Sequence, residues 1–156
     1  MAELRPVLLV EDSPNDIELT LEALEKSRLA NPVVVARDGV EALDFLFRRD
    51  NAPGKPSQLP AVVLLDIKLP RVDGLEVLER IRREARTRNV PVVMLTSSRE
   101  EQDLIRSYGL GVNAFVVKPV GHREFFDAIR DIGAFWAVLN EPPPDYHKED
   151  ASGEEP

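Results

Sequence analysis

The sequence predicts an α/β fold built on a doubly wound, five-stranded parallel sheet with five helices, and three observations predict it. Short, near-continuous apolar runs rich in β-branched residues recur at Val7–Val10, Val33–Ala36, 62–65, 92–95 and 115–117. Runs of this length, bounded by polar residues, mark strands buried on both faces of a parallel sheet. Segments with apolar residues at helical spacing separate them. Strand followed by helix, five times over, requires crossovers, which strand twist makes right-handed.

Each element has a local reason. After the first run, Ser13-Pro14-Asn15-Asp16 offers an N-cap, a proline at the first helical position and an acid to close a capping box. Ile17, Leu21 and Leu24 then form the stripe of the first helix. Asp38-Gly39 turns the chain into a second helix with Ala42, Leu43, Leu46 and Phe47. A loop with Pro53, Gly54, Pro56 and Pro60 precedes the central strand. Asp73-Gly74 starts a third helix marked by Leu75, Leu78 and Ile81. A short fourth helix spans about 100–108 and closes near Gly109, and a fifth runs from about 123 to 139. The flavodoxin-like order 2-1-3-4-5 is the first choice for such a chain, although periodicity alone leaves other orders open. Residues 1–140 read as one domain, and residues 141–156, rich in proline and acid, as a disordered tail.

Composition narrows the function. The net charge is −8, and residues 141–156 alone hold six acids against Lys148. Neither part has the basic footprint that binding a phosphate backbone demands, so nucleic acid is not expected as a partner. There is no cysteine, which removes thiol catalysis and thiolate metal sites and suits a reducing cytoplasm. No run approaches the ~20 apolar residues needed to cross a bilayer, and no signal-type segment is legible, so membrane association is not expected either.

The chemistry gathers where the runs stop. The first ends at Glu11-Asp12, the third at Asp66, the fourth at Thr96-Ser97 and the fifth at Lys118-Pro119. In a parallel sheet these ends share one edge, the edge at which open α/β folds bind ligands. Two unit charges 4 Å apart repel by roughly 4 kcal/mol at an effective dielectric near 20, so three carboxylates there call for a proton or a cation. Mg²⁺, a hard cation that accepts carboxylates, water and phosphate oxygen, is the natural one, and Mn²⁺ can substitute. A carboxylate beside such an ion can attack phosphorus. Lys118 would pair with a phosphoryl oxygen, and Thr96 would donate a hydroxyl hydrogen bond.

Over about residues 5–140 these motifs resemble the receiver domain of two-component response regulators: Glu11-Asp12, Asp66 within Leu-Leu-Asp-Ile-Lys-Leu-Pro-Arg-Val-Asp-Gly, Thr96-Ser97 and Lys118-Pro119. The resemblance implies that Asp66 is the phosphoacceptor, supplied by a histidine kinase. It implies that Asp12 ligates the metal directly, Glu11 through water and Lys68 through its backbone carbonyl. Thr96, Ser97 and Lys118 would contact the phosphoryl group. Thr96 and Phe115 would be the switch pair, hydroxyl moving toward phosphate and ring turning inward, and the bond before Pro119 would be cis. With no output domain attached, the signal would leave through a face of the fourth helix, fifth strand and fifth helix. Two residues depart from the commoner pattern: Glu11 stands for aspartate, and Phe115 lacks a tyrosine hydroxyl. The 50–60 loop, the Leu-Pro-Arg-Val-Asp-Gly turn, the aromatic last helix and the tail are most similar to small regulators paired with phytochrome-type kinases.

Singly, each of these residues has an ordinary explanation as a turn acid, a helix cap (Thr96 included) or a surface lysine; together they make a site. A haloacid-dehalogenase-like phosphohydrolase is a poorer reading, because it needs an acid two residues after the nucleophile, where Lys68 stands. A nucleotide-binding module lacks its glycine-rich loop. A receiver fold that binds partners unphosphorylated would not need the intact site. Arg80, Arg82, Arg83, Arg86 and Arg88 read first as cations at a helix C-terminus and second as a partner contact. His122 carries no assigned chemistry. In the last helix Phe125, Ile129, Ile132, Trp136 and Leu139 form one seam, with a smaller face at Phe126, Gly133 and Ala137. This surplus predicts a symmetric dimer through Phe125, Ile132, Trp136 and Leu139.

Overall fold

The structure, a computed structural model, describes residues 5–27, 29–47 and 59–140, with side chains described up to residue 132. Five strands, β1 (Val7–Val10), β2 (Val33–Ala36), β3 (Val62–Asp66), β4 (Val92–Thr96) and β5 (Ala114–Val117), form one sheet in the order β2-β1-β3-β4-β5. All its pairings are parallel. The helices α1 (Pro14–Lys26), α2 (Gly39–Phe47), α3 (Gly74–Arg83), α4 (Arg99–Ser107) and α5 (Arg123–Asn140) alternate with them. The expected flavodoxin-like architecture is the one observed.

Strand side chains point alternately to the two faces, and the core divides accordingly. Leu8, Val10, Val63, Leu65, Val92 and Met94 pack on residues of α2, α3 and α4, among them Ala42, Leu46, Val77, Leu78, Ile81 and Ile105. Val7, Leu9, Val62, Leu64, Val93 and Leu95 pack on Ile17, Ala23 and Leu24 of α1 and Phe125, Ile129 and Ile132 of α5. Burial on both faces holds for β1, β3 and β4 only. In β2, Val33, Val34 and Val35 are half-buried, and in β5 Val117 is exposed, because an edge strand lacks a neighbour on one side. β3 and β4 also run one residue past their apolar runs, so Asp66 and Thr96 lie inside the ladder.

The expected cap holds at Ser13, whose side chain accepts from the Asp16 N–H, and the turn residues Asp38 and Asp73 prove to accept from the N–H of Glu41 and Glu76 in the first turns of their helices. Two expectations need correction. The α4 cap is Ser98, not Thr96: Thr96 still belongs to β4, and Ser98 Oγ accepts from Glu101 N–H. The α1 capping box is also only half made. Ser13 N–H donates to Glu11 Oε2, while the Asp16 carboxylate turns to Lys118.

The arginine cluster is at the surface, as expected at a helix C-terminus, but two of its members bind main-chain carbonyls of their own chain. Arg82 donates to the carbonyls of Arg88, Val90, Leu110 and Gly111 and to Asn113 Oδ1, tying the end of α3 to the approach of β5. Arg86 donates to the Leu46 carbonyl, and Arg80 lies 5.0 Å from the centre of the Phe47 ring.

Phe125 and Ile132 are consumed by the core beneath α5, so within one chain they are not free for a second copy; this corrects their expected dimer role. The side chains of Trp136 and Leu139, the loop around Pro53, Gly54 and Pro56 and the tail 141–156 lie outside the described residues.

The loop from β3 to α3 is held closely against the sheet. A Cβ on Gly74 would overlap the backbone of Asp66 and Ile67, and one on Gly39 would overlap Val72. Arg71 has φ 69° and pairs with Asp38 at 3.2 Å. Gly74→Ala is expected to destabilise the fold by about 1–3 kcal/mol in urea unfolding, since the clash is with backbone. An unchanged unfolding midpoint would show that the loop has slack.

Candidate functional site

Strand order decides which side chains meet. Because β1 lies beside β3, Glu11 and Asp12 emerge next to Asp66. β4 and then β5 follow on the other side of β3, bringing in Thr96 and Lys118. Carboxylate oxygens of Glu11, Asp12 and Asp66 come within 4.8 Å of one another. Lys118 Nζ reaches Glu11 Oε1 at 3.0 Å, Asp66 Oδ2 at 3.2 Å and Asp16 Oδ2 at 3.2 Å. The peptide bond from Lys118 to Pro119 is cis, as the resemblance implied.

Burial differs sharply across the cluster. Glu11 and Asp66 are 1% and 6% exposed, while Asp12 is exposed at the mouth. An open cleft of about 560 Å³ beside Asp66 is lined by Asp12, Lys68, Glu101 and Leu104 among others. Thr96 is fully buried. Its hydroxyl accepts from Gln102 Nε2 at 3.4 Å, and Ser97 N–H donates to Glu101 Oε1 at 2.7 Å. The Phe115 ring is half-buried, with the Arg106 guanidinium 4.6 Å from its centre. That cation and the absent hydroxyl leave the ring held by packing and quadrupole attraction alone.

Low-dielectric surroundings disfavour charge, and the titrations follow. Burial, then the charge of Asp66, pushes the Glu11 carboxyl up to about 7 against the pull of Lys118. Burial also raises Asp66, partly offset by Lys118 and by the Lys68 N–H. For Lys118 burial acts downward, but Asp66 and Glu11 outweigh it and hold the ammonium above its ordinary range. The ammonium stays charged while the carboxylates share too little positive charge.

A divalent cation fits this deficit. All the available donors are oxygens, as a hard ion requires. Glu11 Oε1 is buried, and the Lys118 ammonium that meets it at 3.0 Å is shared with Asp66 and Asp16. One ammonium shared among three carboxylates leaves buried negative charge uncompensated, which is costly unless a further cation is supplied. Glu11, Asp12 and Asp66 can therefore hold a metal.

Two participants were not singled out in the sequence. Asp16 falls in the first turn of a helix that starts directly from Glu11-Asp12, and its place there was the available signal. Glu101 has only its position in the first turn of α4. Among the described residues no helix is long and apolar enough to cross a membrane.

Comparison with known proteins places this geometry in context. Residues 7–130 match the response regulator receiver domain family. Response regulator Rcp1 of Synechocystis sp. is 38% identical over 130 residues, covering 83% of this chain and 87% of Rcp1. The structure of its Mn²⁺-bound form superposes with a TM-score of 0.72 at 36% identity, covering 89% of this chain and 96% of that one. The structure of the bacteriophytochrome response regulator AtBRR is 66% identical, with a TM-score of 0.73, covering 90% of this chain and all of AtBRR. The phosphorylated cyanobacterial phytochrome response regulator RcpA gives a TM-score of 0.75 at 36% identity, over 88% of this chain and 96% of that one.

The raised Glu11 carboxyl makes metal-free stability pH-dependent. Between the ordinary value of 4.5 and about 7 the folded state keeps a proton that the unfolded state has released, so stability falls as pH rises. The full penalty, up to about 3 kcal/mol, is present above about 7. Melting of the metal-free protein from about pH 5 to 8 is expected to show this decline. Glu11→Gln should make it shallower, leaving the smaller part due to Asp66, and Mg²⁺ should stabilise more at the alkaline end. A metal-free melting temperature that climbs across this window would contradict the assignment.

Proposed function

The chain belongs to the response regulator receiver domain family, and from that premise we propose that Asp66 accepts a phosphoryl group from a histidine kinase in a Mg²⁺-dependent step. The observation that carries the reading is the ammonium of Lys118, held at 3.2 Å from the Asp66 carboxylate inside a three-carboxylate cluster. Glu11 and Asp12, with Asp66 itself and the Lys68 carbonyl, would hold the metal. Bound there, the cation offsets carboxylate charge and draws phosphoryl oxygens toward the acceptor.

In the transfer a carboxylate oxygen of Asp66 forms the new P–O bond as the P–N bond of a phosphohistidine breaks. The electron pair leaves with the imidazole. Lys118 is already within reach of the acceptor, so moving onto a phosphoryl oxygen requires no long-range rearrangement. The Thr96 hydroxyl and the Ser97 N–H supply hydrogen bonds from the end of β4. The protein catalyses only its own phosphorylation and dephosphorylation, and acts through contact rather than turnover.

The output face comprises α4, β5 and α5. Leu104, Tyr108 and Val117 are 48%, 53% and 50% exposed there, an apolar group whose presentation a movement of α4 would change. Phosphorylation adds up to two negative charges and several acceptors beside Thr96, which biases a two-state element. The relatives named as phytochrome response regulators point to a phytochrome-type light-sensing kinase as the donor. The protein works in the cytoplasm, where such kinases present their phosphohistidine. With Phe125 and Ile132 in the core, a homodimer would rest on the end of α5, through Trp136 and Leu139.

Acetyl phosphate with Mg²⁺ should add one phosphoryl group, seen by intact mass, and chelation of the metal or Asp66→Asn should abolish it. Modification of Asp66→Asn to the wild-type level would refute the phosphoacceptor assignment. For the dimer, sizing columns run at several concentrations should show dissociation on dilution and weaker association for Trp136→Ala. A monomer at every concentration would end that proposal.

A further inference from the structure

The first turn of α4 makes three contacts that a simple cap does not require. In a capping box the acid three residues into the helix reaches back to the N–H of the cap residue itself. Here the cap is Ser98, yet the Glu101 carboxylate reaches one residue further: Oε1 accepts from Ser97 N–H at 2.7 Å. Oε2 of Glu101 lies 3.2 Å from Lys68 Nζ. The Glu101 side chain is 14% exposed and that of Lys68 78%, so the ion pair is solvent-screened, while the bond to Ser97, also at the surface, is the short, directional one. The next residue, Gln102, donates to Thr96 Oγ1 at 3.4 Å. The two groups at the end of β4 that a phosphoryl oxygen would use are thus both engaged by one helical turn.

We propose that Glu101 is a resident anion occupying the Ser97 N–H in the resting protein, and that phosphorylation of Asp66 displaces it and releases the first turn of α4. This rests on the reading of Asp66 as phosphoacceptor. A carboxylate and a phosphoryl oxygen are interchangeable partners for a main-chain N–H, since each accepts a charge-assisted hydrogen bond. Competition lowers the apparent affinity for the incoming group by the fraction of molecules in which the N–H is free. The exchange also supplies a mechanical link, because Glu101 and Gln102 belong to the helix that carries Leu104 and Tyr108. Glu101 is in this sense a positioning residue, acting through Ser97 and Lys68.

The test is titration of the full chain with beryllofluoride, a phosphoryl mimic, at fixed Mg²⁺, with the Ser97 amide followed by NMR. Glu101→Ala should bind about tenfold more tightly than wild type, the scale of one charge-assisted hydrogen bond removed from the competition. Glu101→Asp keeps the charge but is one methylene too short for Ser97, and it should gain nearly as much. It also keeps an acid in the first turn and serves where the alanine variant fails to fold. A gain for Glu101→Ala with Glu101→Asp unchanged would overturn the proposal, because removal of a nearby charge would then explain everything. Unchanged or weaker binding in both variants, each folded, would overturn it as well. If wild type takes up no beryllofluoride, or Asp66→Asn binds equally well, the phosphoacceptor reading fails and this inference falls with it.

Discussion

The Lys118 ammonium lies where three carboxylates converge, and the carboxyl edge of the sheet is organised around that meeting. Two of the three, Glu11 and Asp66, are taken almost wholly out of water, where an unpaired charge would be prohibitive. One lysine cannot neutralise them all. Asp16, the third, takes its share of the ammonium, and with Asp12 beside Glu11 and Asp66 the site is left short of positive charge. The raised Glu11 carboxyl expresses the same shortage in protonation. A cation held there would relieve it, and would also make a phosphoryl group welcome beside a carboxylate.

The fold makes this concentration possible because the backbone bears the constraint. β1 and β3 are adjacent and central, so the acids at their ends are brought together by the ladder, and Glu11 N–H still bonds the Ala36 carbonyl of β2. Asp66 and Thr96 lie inside their strands, which denies them the freedom of loop residues. Gly74 lets the β3–α3 loop fold back on the Asp66 backbone, and the Arg71–Asp38 pair ties that loop to the start of α2. The proposed acceptor is thus held by strand backbone, and any movement of the switch would fall to the elements around it.

Legibility in the sequence followed this division. The apolar runs and the polar residues ending them were enough to assemble Glu11, Asp12, Asp66, Thr96 and Lys118 in one place, because strand order does the geometric work. What escaped depended on where side chains turn. Asp16 suits a capping box by its spacing, yet its carboxylate goes to Lys118, an attraction that no local pattern encodes. The arginine cluster reads as cations at a helix C-terminus, which Arg80, Arg82 and Arg83 are, but nothing local shows that Arg82 also binds carbonyls brought near by the fold from residues 88–111. In α5, helical spacing could not separate residues facing the sheet from those left over. Phe125 and Ile132 proved to belong to the sheet.

A rigid acceptor can drive a moving face only if the two states of that face are close in free energy, since a ligand shifts an equilibrium by no more than its differential interaction. Exchange of one anion for another on the Ser97 N–H meets this condition. The hydrogen bond is conserved in number and in kind, so the cost of releasing Glu101 is offset by the phosphoryl oxygen that replaces it. What remains is the loss of a solvent-screened contact between Lys68 and Glu101 and of one long contact between Gln102 and Thr96. Each is worth about a kilocalorie or less. Gating by such weak contacts keeps the resting state populated without locking it, and leaves the phosphoryl charge large enough to decide the outcome.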